Sequence, residues 1–180
     1  PKPKVNWEMN QPKECKISEI LIEEYSASHE EEVVSLLCGL QSYLVEIDPE
    51  KIQLLSEDYQ SNYLPYVLKL SYTNHGVALI AKNDGIVIGF AASMIEQKDE
   101  EDRLTNRRPI RGIISELIVA PEWRGKGVGK RLIGVLEERF KEVNCEYSVV
   151  DVFGPNGAAQ NFYSGLGYGN RNIEMMKKLY

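Results

Sequence analysis

A glycine-rich turn carrying cationic side chains lies in the second half of the chain. It follows an apolar segment, Ile113 to Ala120, and has the sequence Pro121-Glu122-Trp123-Arg124-Gly125-Lys126-Gly127-Val128-Gly129-Lys130. A helical pattern then runs from Val128 to Val143. Free N–H groups and the positive end of a helix attract anions, and glycine lets the backbone approach them closely. We therefore expect this turn to hold phosphate.

The spacing of the glycines excludes two common nucleotide-binding motifs. A Walker loop requires G-x-x-x-x-G-K-[ST], but Gly129-Lys130 is followed by Arg131. A dinucleotide fingerprint requires G-x-G-x-x-G, and its third glycine would fall on Lys130. The phosphate is therefore expected to belong to another kind of ligand.

The charges of the helix after the turn run against the helix dipole. Lys130 and Arg131 lie near its start, and Glu137, Glu138 and Glu142 lie later. An anion bound at the helix start would explain this order. Solvated charges with a small penalty are the alternative.

A carboxylate interrupts the apolar segment before the turn. If this segment is a strand, Ile114, Glu116 and Ile118 share one face, opposite Ile113, Ser115, Leu117 and Val119. A buried carboxylate has a raised pKa and is a better general base. Glu116 is therefore the candidate base, with orienting a water molecule or holding a substrate ammonium as alternatives.

The elements that must position these residues are predicted from periodicity and turn residues. Strands are expected over residues 17–25, 76–82, 86–95, 111–120 and 147–153, with one or two more in 168–180. Asn83-Asp84-Gly85 predicts a hairpin turn, and Gly89 a bulge or a close backbone approach. In the last segment, the expected core residues are Ile173, Met175, Met176 and Leu179.

Helices are expected between these strands. Ser28 and Glu31 form a capping box for a helix that ends at Asp48-Pro49, and Pro49 would begin the next helix. Residues 50–72 are predicted to be partly helical, with an interruption at 62–65. Their tyrosines, Tyr59, Tyr63, Tyr66 and Tyr72, either pack on the sheet or form a mobile wall of a substrate pocket. With a short helix over 157–163, the order describes an α/β sandwich around a mixed sheet.

Composition limits the class of protein. The 180 residues, 43% of them apolar, suit one domain over residues 17–180 after a loose arm over 1–16 that contains three prolines. The net charge of −6 argues against general nucleic-acid binding. No apolar run reaches the ~18 residues of a membrane span, and the N-terminus lacks a signal-peptide pattern. Cys15, Cys38 and Cys145 are expected to be free thiols in the cytoplasm, and no metal site is expected at His29 or His75.

Two sequence blocks together resemble the GNAT superfamily of N-acetyltransferases. Residues 124–129, Arg-Gly-Lys-Gly-Val-Gly, are similar to its acyl-CoA pyrophosphate loop, Q/R-x-x-G-x-G/A. Residues 156–168 are similar to its N-x-x-A-x-x-F-Y-x-x-x-G-F/Y segment, one helix and one strand later. The resemblance implies the GNAT acyltransferase fold, a mixed and mostly antiparallel central sheet flanked by helices, within an α/β (α+β) class.

The resemblance also implies how acetyl-CoA binds, as the acyl-donor substrate. The pyrophosphate would meet the backbone N–H groups of residues 125–130, with Arg124 and Lys130 at the rim. The pantetheine arm would pair with strand backbone at residues 117–119. The implied cofactor-binding set is Leu117, Ile118, Val119, Arg124, Gly125, Lys126, Gly127, Val128, Gly129, Lys130, Asn156 and Tyr163.

The resemblance implies that acetyl transfer occurs by direct attack of a primary amine. Tyr163 matches the position of the acid that assists the departing thiolate, although it could simply pack beside Phe162. Asn156 would bond the cofactor arm or the Tyr163 helix, or only cap that helix. A strand N–H near Leu117 or Val119 would stabilise the oxyanion. The implied catalytic pair is Glu116 and Tyr163.

The acceptor amine has no recognisable motif. Asp48, Glu57 and Asp58, together with the net negative charge, slightly favour a small cationic amine over a protein amine, although a solvated acidic face explains them equally well. A GNAT fold that senses acyl-CoA without turnover is the alternative function. The family's paired sheets are also compatible with a homodimer.

Overall fold

The computed structural model describes residues 20–96 and 109–180, so the arm over 1–16, Cys15 and the first residues of the predicted strand at 17–25 lie outside it. The described part contains one sheet in the order β1-β2-β3-β4-β5. Its strands are β1 Leu21–Glu24, β2 Ala78–Asn83, β3 Ile86–Ile95, β4 Arg111–Val119 and β5 Tyr147–Val150. Neighbouring strands are antiparallel except β4 and β5, which are parallel. The predicted mixed, mostly antiparallel sheet is confirmed.

Helices cover both faces of this sheet. They are α1 Glu30–Ile47, α2 Tyr59–Thr73, α3 Val128–Glu142 and α4 Gly157–Gly165. The core against α1 and α2 is built around Val33, Leu37, Leu64, Val67, Ile80 and Phe90. The core against α3 and α4 is built around Leu79, Ile88, Leu132, Ile133, Leu136 and Phe140. The predicted α/β layering is therefore confirmed.

The β2–β3 hairpin follows its turn chemistry closely. Asp84 and Gly85 both have positive φ, 48° and 82°, as the tight hairpin turn requires. The register of the two strands shifts between Ala81 and Lys82, next to Gly89. A Cβ on Gly89 would lie 3.1 Å from the Ile118 carbonyl oxygen, so the predicted close backbone approach is present.

A bulge in β4 decides which residues face which core. Glu116 pairs with Ala92 and Ile114 with Ser93, which leaves Ser115 as an extra residue. Ile114 consequently joins the core on the α3 face, whereas Ile118 joins the core on the α1–α2 face. The expectation that both share a face with Glu116 is wrong for Ile114, because simple alternation does not continue across a bulge.

The connection from α1 to α2 differs from the sequence prediction. Residues 50–58 contain no helix, because the buried Asp48 carboxylate accepts the backbone N–H groups of Glu50, Ile52 and Gln53 at 2.9, 2.7 and 2.7 Å. These bonds lower the pKa of Asp48, and the bond from the Gln53 N–H has the largest effect. Pro49 therefore does not begin a helix, and the Asp48 carboxylate holds the loop rather than standing free to attract a cationic acceptor.

Two further helix predictions need correction. The capping box at Ser28 is absent, since its hydroxyl bonds Ser26 at 2.7 Å and α1 begins only after a short 3₁₀ turn at Ala27–His29. The predicted interruption at residues 62–65 is also absent, because α2 continues through Pro65. Burial of Leu64 and Val67 holds α2 together despite the missing proline N–H.

The segment after α4 does not form the predicted strand. Residues 169–180 have no regular secondary structure. The expected core residues Ile173, Met175, Met176 and Leu179 are 78%, 92%, 67% and 81% exposed. Adjacent methionines followed by Lys177-Lys178 interrupt the alternation that would give a strand one apolar face.

Gly76 joins α2 to the sheet and is predicted to be intolerant of a side chain. Its N–H donates to Ser71 at 2.8 Å, and an added Cβ would lie 1.8 Å from the Ser93 carbonyl oxygen. Gly76→Ala should reduce the free energy of unfolding by about 2–3 kcal/mol, measured by urea denaturation. Gly39→Ala, on an open face of α1, should instead be neutral or stabilising by up to about 1 kcal/mol. Equal effects of the two changes would contradict this packing argument.

Candidate active site

The first turn of α3 presents backbone N–H groups that the helix itself does not use. The helix begins after Gly127, and its first bond runs from Arg131 N–H to the Gly127 carbonyl at 3.1 Å. The N–H groups of Val128, Gly129 and Lys130 therefore have no partner within the helix. No side chain caps this end, and its first turn contains no acidic residue. These are the properties of an anion site at a helix start.

The glycines of the turn have conformations that other residues rarely adopt. Gly125 and Gly127 have φ of 73° and 82°, in the left-handed region. The turn can therefore fold tightly before α3 without a side chain lying over the N–H groups. Glycine at these two positions is therefore a requirement of the backbone conformation itself.

The cations of the turn are held in different ways. Arg124 Nε donates to the Val119 carbonyl at 3.1 Å, which ties the turn to the end of β4. Lys126 Nζ lies 4.9 Å from the centre of the Trp123 ring, in a cation–π contact. Lys130 is exposed in the first turn of α3. Of these three cations, Lys130 is the one that belongs to the first turn of α3.

The end of β4 nearest the turn has an open edge. Pairing of β4 with β5 runs only from Arg111–Tyr147 to Ile114–Val150, whereas β3 pairs as far as Val119. The N–H of Ala120 donates to the Ile88 carbonyl at 2.9 Å. Because bonded and non-bonded pairs alternate in an antiparallel ladder, Leu117 and Val119 direct their backbone groups away from β3, towards the open edge. Ile118 directs its backbone to β3 and buries its side chain.

Glu116 lies beside this open edge, on the face covered by α2. Its Oε1 accepts a hydrogen bond from Tyr63 Oη at 2.6 Å. Burial raises the pKa of Glu116, and the bond from Tyr63 partly opposes that rise. A carboxylate in this setting is a stronger base than an exposed one. The preceding hydroxyl, Ser115 Oγ, is also buried and has no hydrogen-bond partner among the described residues.

Tyr163 approaches the same region from α4. It is 8% exposed, and its ring makes edge contacts with Phe162 and Tyr168, with centroids 5.1 and 5.5 Å away. Burial, followed by the nearby charge of Glu116, raises the pKa of Tyr163 to about 12. Tyr163 therefore stays protonated at neutral pH and is available as a hydrogen-bond donor. The structure brings the two predicted catalytic residues within electrostatic reach of each other.

The two sequence blocks are in contact. A Cβ on Gly129 would lie 3.2 Å from Phe162 Cζ, so α4 packs against the first turn of α3. Asn156 Oδ1 accepts the Ala159 N–H at 3.1 Å, so Asn156 caps α4, one of the roles expected for it. This packing places Tyr163 next to the strand that carries Glu116.

Two side-chain contacts near the site were not predicted from the sequence. The sequence places Tyr63 in a helix that packs on the sheet or forms a wall of a substrate pocket, but nothing in it pairs Tyr63 with Glu116, 53 positions away. The sequence identifies Tyr168 only as the last position of the block at residues 156–168. In the structure, its hydroxyl forms hydrogen bonds with Ser148 at 2.6 Å and with Glu137 at 2.8 Å. The i, i+4, i+7 spacing of Tyr59, Tyr63 and Tyr66 does indicate one helix face, and the first two rings are stacked 4.5 Å apart.

Residues 20–96 and 109–180 contain no group of three or more His, Cys, Asp or Glu side chains arranged to hold a metal ion. Over the same ranges, no helix has the length and apolar character needed to cross a membrane. Cys38 and Cys145 are free thiols.

Comparisons with solved structures show the same fold at low sequence identity. A mutant of the BH1408 protein of Bacillus halodurans has a TM-score of 0.78 at 20% identity, over 89% of this chain and 99% of that chain. Aminoglycoside N-acetyltransferase AAC(6')-Iy in complex with CoA has a TM-score of 0.63 at 20% identity, over 89% of this chain and 95% of that chain.

Comparisons of sequence identify related proteins and the family. An uncharacterised N-acetyltransferase of Methanocaldococcus jannaschii is 30% identical over 95 residues, 52% of this chain and 53% of that protein. N-alpha-acetyltransferase 30 of Saccharomyces cerevisiae is 30% identical over 59 residues, 33% of this chain and 34% of that protein. The matched part of the chain thus spans about half, or less, of the length of these curated relatives. The model of the acetyltransferase (GNAT) family matches residues 17–168, and the chain therefore belongs to the GNAT family.

Proposed function

We propose that this chain is an acetyl-CoA-dependent N-acetyltransferase acting on a primary amine by direct attack in a ternary complex. The observation that carries the proposal is the open edge of β4. It ends at the uncapped start of α3, and Glu116 and Tyr163 lie beside it. An extended thioester whose phosphates sit at the helix start would bring its carbonyl to these two side chains.

The residues of the turn fit the phosphates of acetyl-CoA. The N–H groups of residues 128–130 supply aimed donors, and Lys130 adds a positive charge. Leu117 and Val119 direct backbone groups to the open edge, where the amide groups of a pantetheine arm would pair with them as an added strand does. One of these N–H groups would stabilise the oxyanion of the tetrahedral intermediate.

The acceptor loses two protons in the reaction. Lysine-like ammonium groups have a pKa of about 10.4, so the acceptor first gives up one proton to solvent to become the neutral amine that attacks. Glu116, or a water molecule that it orients, takes the amine proton as the C–N bond forms. The C–S bond then breaks, and Tyr163 donates a hydrogen bond to the departing thiolate. A pKa of about 12 makes complete proton loss from Tyr163 uphill, so hydrogen-bond stabilisation is its main contribution.

A small cationic amine is the acceptor class that we favour. Asp48 no longer supports this choice, because its carboxylate is used by the loop. Glu57 and Asp58 remain exposed before α2, and Glu116 offers a buried negative charge. Both an aminoglycoside N-acetyltransferase and an N-alpha-acetyltransferase occur among the similar proteins. Protein α-amines are therefore the acceptor class to test against small amines.

Acetyl-CoA binding should depend on the charge at position 130. Lys130→Glu should weaken acetyl-CoA binding by about tenfold or more, because a carboxylate at the helix start repels phosphate. Isothermal titration calorimetry measures this loss. Lys69→Glu makes the same charge change at an exposed position of α2 and should bind acetyl-CoA normally. Equal losses in both variants would contradict a local phosphate site. Position 130 is preferable to Gly127, whose positive φ would strain any replacement.

Ionisation of Glu116 should lower the free energy of unfolding. A carboxyl group with a raised pKa stabilises the folded state fully below its unfolded value, near 4.5, and this contribution is lost as the pH rises through the folded pKa. Glu116→Gln keeps an acceptor for Tyr63 but cannot ionise. Its melting temperature relative to the unmodified chain should therefore rise between pH 4.5 and pH 8. A pH-independent difference would show that Glu116 is not desolvated.

Thiol release from acetyl-CoA, measured over a panel of amines, tests the activity. The panel should contain polyamines, aminoglycosides, amino acids and peptides with a free α-amine. We expect release with at least one small cationic amine. Tyr163→Phe should then lower kcat about a hundredfold while acetyl-CoA affinity stays nearly unchanged. Binding of acetyl-CoA without release for any amine would favour a non-catalytic acyl-CoA sensor.

A further inference from the structure

The carboxylate of Glu116 has one direct hydrogen-bond partner among the described side chains. Tyr63 Oη, from α2, donates to Glu116 Oε1 at 2.6 Å. This separation is within the range of the short bonds formed by hydroxyl groups with ionised carboxylates. The bond joins two elements 53 positions apart in sequence, so it exists only when α2 is docked on the sheet.

The phenol of Tyr63 is held rigidly. Its ring stacks on that of Tyr59, with centroids 4.5 Å apart and an angle of 16° between the planes. The ring centroid of Tyr66, one turn later in α2, lies 6.2 Å from that of Tyr63. The neighbouring residue Leu64 is 1% exposed, which anchors this part of α2 in the core. The hydroxyl therefore approaches Glu116 from a direction set by packing.

We infer that Tyr63 is a positioning residue for the acceptor side of the reaction. By occupying Oε1 it holds the carboxylate in one orientation, so that Oε2 is the oxygen left to meet the acceptor amine. It also donates to the ionised form, which keeps a buried carboxylate charged and ready to accept a proton. This inference rests on the proposed N-acetyltransferase function, and it assigns to α2 a part in catalysis that neither GNAT motif block contains.

The other groups near Glu116 do not replace this bond. Tyr59 of α2 and Tyr163 of α4 are close enough for the charge of Glu116 to raise the pKa of each, after the larger effect of burial. On α1, Cys38 lies near enough to Tyr59 to add to the rise in its pKa. Both tyrosines are neutral near pH 7 and, among the described contacts, none of the three side chains forms a hydrogen bond with the carboxylate. The donor on α2 is therefore the group that offsets the burial of Glu116.

The pH dependence of kcat/KM for the amine tests the inference. Tyr63→Phe removes only the hydroxyl and keeps the stacked ring. Because the lost bond favours the ionised carboxylate, the acid limb of the profile should move to higher pH. At a pH on that limb, kcat/KM should fall on the order of tenfold, while the Kd for acetyl-CoA stays unchanged. Circular dichroism and thermal melting establish that the variant is folded.

Matched tyrosines supply the controls. Tyr66→Phe removes a hydroxyl from the same helix face at a position that is 58% exposed, and it should leave the acid limb in place. Tyr59→Phe preserves the stack but removes a hydroxyl that has no bond to Glu116, so it should not move the limb either. In a Glu116→Gln background, Tyr63→Phe should produce no shift, because the group that titrates is gone.

Two outcomes would overturn the inference. In one, Tyr63→Phe lowers kcat without moving the acid limb, as a purely structural role predicts. In the other, Tyr66→Phe moves the limb by the same amount. If no amine in the panel is acetylated, the proposed function fails separately, and the role of Tyr63 is then tested by ¹³C NMR titration of the Glu116 carboxyl carbon. That titration midpoint should lie at higher pH in Tyr63→Phe than in the unmodified chain, and equal midpoints would refute the inference.

Discussion

The separation of β4 from β5 after Ile114 is the constraint on which the rest of the site depends. Parallel pairing with β5 ends there, and one residue later the bulge at Ser115 changes which face of β4 each side chain occupies. The strand therefore leaves backbone groups of Leu117 and Val119 at an open edge while it turns Glu116 towards α2. A continuous, evenly alternating β4 paired along its whole length would offer neither feature.

Elements on both sides of the sheet supply the remaining groups. On one face, α3 begins without a capping side chain, and α4 packs its Phe162 ring against Gly129 in the first turn of α3. On the other face, α2 carries Tyr63 to the carboxylate. The site thus joins one helix start suited to anions with a desolvated carboxylate, and the open edge lies between them. The proposed acyl transfer to an amine would use both, since its donor is a phosphorylated thioester and its acceptor must lose a proton.

Much of this arrangement was predictable because it depends on local chemistry. Asp84 and Gly85 tolerate the positive φ values of a tight hairpin turn, so the start of β3 at Ile86 could be predicted from these two residues. The glycines at 125 and 127 marked the turn before α3. Errors arose where distant or unusual contacts override local propensity. Asp48 captures the N–H groups that a helix at residues 50–53 would use, and buried neighbours hold α2 together around Pro65. The strand predicted after α4 does not form, because that segment lacks a consistent apolar face.

By itself, the sequence determined the order of elements from β1 to α4, the glycine-rich turn and the two motif blocks that identify the family. It also singled out Glu116 and Tyr163, since a lone carboxylate in an apolar strand and a tyrosine in a known motif can be recognised without coordinates. Only the tertiary structure decided that Ile114 and Glu116 occupy opposite faces, that the edge of β4 is open, and that Tyr63 bonds Glu116. The physical reason is that strand separation, bulges and contacts across 53 positions result from packing of the whole sheet, which no local pattern encodes.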